Sequence, residues 1–400
     1  MRPLTRFAAV LGLSALCVVS AARAEHEVQS ELIFPLQGKH VHGSSIVQCP
    51  NGDFLAAWFQ GSGERSADDV VINGARLKKG AKEWSPVFLM ADTPNIPDCN
   101  PVLFIDPSEK LWLFYLPVIS NRWENGMLKY RTSTNYQGKG APKWDWQDVI
   151  VLTPGEEFAT QIETLFEGLN PADGMWGEYA PSYSSMIVDA AKDKRKRQTG
   201  WMTRIHPVVL DSGRILLPLY SDGFNISLAA YSDDMGATWT ASGPIVGLGP
   251  IQPTFVQKKD GTIVGYFRDS GMAPSRAMTS TSSDNGATWV PCKDTEIPNP
   301  SSSLEVIKLK DGRWVMICND TERGRHQICL MMSDNEGATW KWKRYVDKSE
   351  NNEAGSYAYP SLIQSKDGML HMTYSFRTNE ASGKSIKHVA VHPDWITEGQ

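Results

Sequence analysis

The chain has 400 residues and a net charge of −5, with acidic and basic side chains spread along it, which leaves no electrostatic footprint for nucleic acid. No stretch approaches the roughly 18 apolar residues of a membrane helix, so no membrane span is expected. Six cysteines become five once Cys17 is lost with an N-terminal leader, and an odd count argues against a disulfide framework.

Arg2 and Arg6 precede an apolar run, Ala8 to Ala22, that ends in Ala22-Arg23-Ala24. This is the pattern of a secretory signal at residues 1–24, so a secreted or periplasmic product is expected, with residues 25–400 as a single folded unit. Leu32–Pro35 is placed to act as a clasp for the last structural unit. From there one theme recurs six times: an apolar strand, a Gly or polar turn, and an aromatic-rich returning strand. The copies are 45–59, 102–115, 208–220, 254–267, 305–318 and 361–374. Alternation at period two around such turns predicts β-hairpins.

Each hairpin leads to a third strand and a further turn. In the second half that turn is nearly repeated as SDDMGATW at 232–239, SSDNGATW at 282–289 and SDNEGATW at 333–340. Asp233, Asp284 and Asp334 are expected to accept backbone hydrogen bonds of their own turn. Gly236, Gly286 and Gly337 supply positive φ, and Trp239, Trp289 and Trp340 staple the turn to the sheet. Eroded copies stand at 74–84, 131–144 and 390–395. Six such units predict an all-β fold, a six-bladed β-propeller of four-stranded antiparallel blades.

Residues of about 150–203 break the rhythm and read as an insertion. Trp176, Tyr179, Tyr183 and Trp201 suit a pocket wall, and Lys192–Arg197 reads as a solvated loop tip. Cys318 and Cys329 can face each other on neighbouring strands, either bridged or as buried thiols.

In a propeller the turns just described lie on one face. The opposite mouth is lined by residues just before each inner strand and just after each second strand. The first set is His42, Asn100, His206, Gln252, Ser303 and Tyr359; the second includes Gln60, Asp222, Arg268, Asp269, Asn319, Asp320 and Arg377. Polar groups converging on a concave mouth are a site hypothesis. GSGERSADD at 61–69 adds Glu64, Arg65, Asp68 and Asp69; Asn121–Glu124 follows the second hairpin, and Arg204 opens the third inner strand. Arginines, aromatics and carboxylates together suit an acidic sugar, that is, a glycan partner. His40 and His42 lack a ligand set of recognised spacing, so neither metal nor cofactor is expected. A monomer is expected.

The GATW turns and the strands around them resemble the sialidase (neuraminidase) superfamily of Asp-box (BNR) repeat proteins over nearly the whole chain after the leader. The resemblance implies a six-bladed propeller hydrolysing terminal sialic acids with an arginine triad, a Tyr nucleophile beside a Glu, and an Asp acid/base. Arg268 after TIVGYF resembles the second arginine, and Arg325 in RHQICLMMSDNEGATW the third. Tyr359 in YPSLIQSKDG resembles the nucleophile, and Asp68 or Asp69 the acid/base. The first-arginine position falls on His42, and the Glu position on Gln252. His42 and His206 are further proton carriers, and Arg65, Arg204, Gln252, Arg377 and Asn100 further substrate-binding candidates. Three outcomes fit: hydrolysis of a terminal acidic sugar (sialic acid or uronate type), β-elimination from a uronate, and glycan binding without turnover.

Overall fold

All six hairpins form, because their strands pack between neighbouring blades and bury most of both faces. Leu111–Pro117, Ile215–Ser221 and Trp314–Cys318, second strands of their blades, are buried along their whole length. The computed structural model describes residues 26–169, 176–379 and 383–398. The signal segment expected at residues 1–24 lies outside the described residues. Among them no helix is long and apolar enough to cross a membrane.

The hairpins grow into six antiparallel blades, of which the first runs His40–Gln48, Phe54–Gly61, Val71–Leu77 and Phe88–Ala91. Blades two to five follow in chain order, with innermost strands at Asp98–Ile105, Met202–Val209 (broken in the middle), Pro250–Gln257 and Glu305–Lys308. Blade six has three strands from the C-terminal part, Ser356–Gln364, Leu370–Arg377 and Ser385–Val391. Its fourth is Gln29–Leu32, which pairs antiparallel with Ser385–Val391 and closes the ring. The clasp thus lies three residues earlier than Leu32–Pro35, since Pro35 has no N–H to give to a ladder. Apolar clusters fill the seams between blades, as where Phe59 of blade one meets Leu113 and Tyr115 of blade two. Each such side chain contributes about 1.5–3 kcal/mol when fully buried.

The GATW turns join third and fourth strands and pack on the preceding blade. Gly236, Gly286 and Gly337 have φ of 84°, 81° and 79°. A Cβ on Gly236 would stand 2.5 Å from Trp112 of blade two, and one on Gly286 2.8 Å from Leu216 of blade three. Trp239 meets Trp112 edge-on, and Trp340 meets Tyr266 of blade four. The turn acceptors are Asp234, Asp284 and Asn335, each taking the N–H four residues on at 2.8–2.9 Å. Asp233 and Asp334 stand one residue too early, outside the turn. They pair instead with Arg214 and Lys341.

Between blades two and three, residues 156–198 include three helices: α1 (Glu156–Glu167), α2 (Ser185–Ala191) and α3 (Lys194–Gln198). Phe158, Ile162 and Phe166 line one face of α1 and join the core of blades two and three. The basic run is not a loop tip. It forms α3, where the buried Arg197 reaches Glu156 at 2.7 Å and the Ala191 carbonyl at 2.9 Å. Cys318 and Cys329 are register partners with their sulfurs 3.9 Å apart, both buried as free thiols.

Asp98 is fully buried at the start of the second inner strand. One oxygen accepts from Thr93 N at 2.7 Å and the other has no hydrogen-bond partner among the described residues. Burial pushes its carboxyl up to about 6. A carboxyl whose folded pKa exceeds its unfolded value destabilises as pH rises between about 4 and 6. Asp98→Asn is therefore expected to gain about 1–2 kcal/mol at pH 7 and nothing at pH 4, read from urea midpoints.

Candidate active site

Four innermost strands carry an extra residue at the same place. The register slips between His42 and Ser45, Cys99 and Val102, Ile251 and Thr254, and Ala358 and Ser361. Inside each bulge one residue adopts positive φ: Gly43 at 63°, Asn100 at 50°, Gln252 at 52° and Tyr359 at 55°. Three of these precede a proline, which lacks the donor that a regular ladder would need there. Such a backbone is strained for Tyr, and strain of this kind concentrates at functional sites.

The bulges deliver His42, Asn100, Gln252 and Tyr359 to the wall of one cavity of about 280 Å³ at the mouth. Tyr220, Asp222 and Arg268 join from second strands and the loops after them, Glu64 and Arg65 from the loop of blade one, Trp123 from blade two, and Arg325 from blade five. Trp176, just before α2, also lines it. Tyr179 and Trp201 pack instead against Phe224, and Tyr183 is exposed.

Tyr359 is the centre of the arrangement. Its Oη accepts from Arg268 Nη1 at 2.6 Å and from Gln252 Nε2 at 3.3 Å. The Arg325 guanidinium lies 5.2 Å from the ring centroid, and the His42 ring lies tilted against it, centroids 4.0 Å apart. Burial raises the Tyr359 pKa, but Arg268 and Arg325 outweigh it and hold the phenol below its ordinary value. The neighbouring phenol of Tyr220, which accepts from Asn100 and Gln252, is pushed up by burial and by Asp222. Burial, with Arg325 and His40 nearby, drops the His42 imidazole well below 6.5, so it is neutral at physiological pH.

The remaining candidates stand elsewhere. His206 is not at the mouth: its Nδ1 contacts Glu305 at 2.6 Å and its Nε2 the Ile46 carbonyl at 3.0 Å. The third inner strand has two extra residues rather than one, so the position equivalent to Tyr359 is Arg204. Arg204 is itself buried behind Tyr359, donating to the carbonyls of Ser44, Tyr359 and Pro360, and so supports the site from below. Arg377 lines an adjoining recess with His40 and Lys384. Asp69 is half exposed and bonded to Ser62, and Asp68 accepts from Asn121; neither lines the cavity. Arg65 does line it, held by Asp222 at 2.6 Å and resting on Trp123. Tyr220 was invisible to spacing arguments, but the Asn-Pro, Gln-Pro and Tyr-Pro pairs at strand starts were a usable signal for the bulges.

A family profile for the BNR repeat-like domain matches residues 52–372. Over 180 residues the chain is 25% identical to a sialidase of Micromonospora viridifaciens, covering 42% of this chain and 26% of that protein. Over 200 residues it is 27% identical to an anhydrosialidase of Macrobdella decora, covering 44% and 25%. The matched stretch thus spans about a quarter of each relative. The intramolecular trans-sialidase of Ruminococcus gnavus, solved with oseltamivir carboxylate, superposes with a TM-score of 0.66 at 14% identity, over 92% of this chain and 98% of that one. Likeness at that identity speaks for the fold.

Proposed function

Since the chain belongs to the BNR repeat-like domain family, we propose that it is a glycosidase of sialidase type, exported by its leader and acting as a monomer, which hydrolyses a terminal acidic sugar from glycans. The observation that carries this reading is Tyr359 Oη at 2.6 Å from Arg268, under Arg325, in a cavity of sugar size. Two guanidinium groups suit a substrate carboxylate, and their charge favours the phenolate that would attack the anomeric carbon. Sialidases are among the glycosidases that use Tyr as nucleophile.

A second reading, β-elimination from a uronate, is favoured by one observation. Gln252 offers Tyr359 an amide and not a carboxylate, while His42, neutral and tilted against the Tyr359 ring, could take an α-proton. Mass analysis of products from sialylated and uronate-capped glycans tests both. Hydrolysis yields products that together gain one water; elimination yields no gain and an unsaturated uronate absorbing in the ultraviolet. Turnover of neither glycan would leave a binding module.

A further inference from the structure

Departure of a sugar hydroxyl as an alkoxide is unfavourable at neutral pH, so hydrolysis at Tyr359 needs a proton donor facing the leaving oxygen. Among the described residues two carboxylates line the cavity, Glu64 and Asp222. Asp222 is committed to Arg65 at 2.6 Å. Glu64 is held more lightly. Its Oε2 stands 3.2 Å from His40 Nε2 without hydrogen-bond geometry, and neither oxygen makes a hydrogen bond among the described residues. His40 Nδ1 in turn lies 3.3 Å from Lys384 Nζ. An ammonium can only donate, so Nδ1 is the acceptor of that pair and Nε2 is the ring nitrogen that faces Glu64. The carboxylate thus stands against His40 with both oxygens open to a ligand.

We infer that Glu64 is the proton donor and acceptor of the site, in place of Asp68 or Asp69, and that His40 is its positioning residue. The inference rests on the hydrolytic reading above. The Glu64 charge opposes ionisation of Tyr359, so the two groups face each other across the site. In the first half-reaction the bond from anomeric carbon to leaving oxygen breaks, Tyr359 Oη supplies the pair for the new bond, and the Glu64 proton goes to the leaving oxygen. In the second, water attacks the same carbon, the bond to Tyr359 breaks with its pair returning to Oη, and the Glu64 carboxylate takes the proton of the water.

The test compares wild type, Glu64→Gln, Glu64→Ala and Asp69→Asn on two substrates. Sialyllactose loses a sugar hydroxyl, whereas 4-nitrophenyl sialoside loses a phenol acidic enough to leave unprotonated. Glu64→Gln is expected to lower kcat/KM at least about 100-fold on sialyllactose and less than about tenfold on the aryl sialoside. Azide should revive Glu64→Ala and give the sugar azide, and Asp69→Asn should stay within about threefold on both. His40→Ala should lose about tenfold on sialyllactose alone, with His40→Gln restoring it. Equal losses on both substrates for Glu64→Gln, absence of the azide product, or the leaving-group pattern in Asp69→Asn overturns the assignment. Wild type that hydrolyses neither these sialosides nor uronate-capped glycans overturns the hydrolytic reading, and the assignment with it; that outcome is distinct from losses confined to the variants.

Discussion

Tyr359→Phe is expected to lower kcat by about 1,000-fold or more on any glycan the wild type cleaves, while leaving binding within about tenfold. The phenol oxygen is the one atom removed, and it sits 2.6 Å from Arg268. Arg268 keeps Ser301 Oγ as a partner at 3.0–3.1 Å, and Arg325 keeps the Ser301 carbonyl, so the cationic wall for a carboxylate survives. On an aryl sialoside, whose leaving group needs no proton, activity that needs the phenolate must rise with pH up to the lowered Tyr359 pKa and then level off. Arg268→Met removes the nearest charge that lowers it, so the same limb should move to higher pH. Steady-state kinetics across pH on wild type and both variants checks this. A Tyr359→Phe enzyme with more than a tenth of the wild-type kcat would exclude Tyr359 as the reacting group.

Acid is expected to destabilise the fold through the seam that closes the ring, by about 2–3 kcal/mol between pH 7 and 4.5. Glu31, on the clasp strand, accepts from Trp84 of blade one at 3.1 Å and contacts His388 of blade six at 2.7 Å. His388 Nε2 meets His371 Nδ1 at 3.0 Å, and His371 stacks on Phe54 of blade one at 4.0 Å. Burial, reinforced by His388, lowers His371 to about 3, against the opposing pull of Asp367 and Glu31. The unfolded chain therefore binds this proton from about pH 6.5 downward, while the folded one refuses it until about 3. Stability is complete above 6.5 and is lost as pH falls through that window. His371→Gln keeps a hydrogen-bonding side chain but does not titrate, so its stability should vary less with pH by that amount. Urea unfolding at both pH values decides; equal slopes for the two proteins would refute the assignment to His371.

The architecture was legible from residues whose role is local. The GATW turns need only their own glycine, tryptophan and side-chain acceptor, and they recur at blade spacing. Even there the acceptor was misplaced by one, at Asp233 and Asp334. Two adjacent polar residues compete for the turn, and only the backbone decides which one faces the N–H four residues on. The helix α1 was missed: Phe158, Ile162 and Phe166 are spaced by four, but the Gly, Pro and Ser around them made the segment read only as an insertion. For the site, a count back from each hairpin turn brought His42, Asn100, Gln252 and Tyr359 to the cavity and sent His206 away from it. That count assumes the same bulge in every blade, and the third inner strand has one residue more.

By itself the sequence determined the blade number, the direction of each hairpin and the face on which polar residues collect. All of these follow from short-range alternation and turn chemistry. Tertiary structure alone decided which charges meet. Arg65 and Asp222 are 157 residues apart, Arg268 and Tyr359 are 91, and Gln252 and Tyr359 are 107. No local pattern encodes whether a loop carboxylate such as Glu64 turns inward while Asp69 turns to Ser62. Radial closure brings the strand starts of six blades to one axis, and side-chain electrostatics in the confined mouth then settles which of them act together.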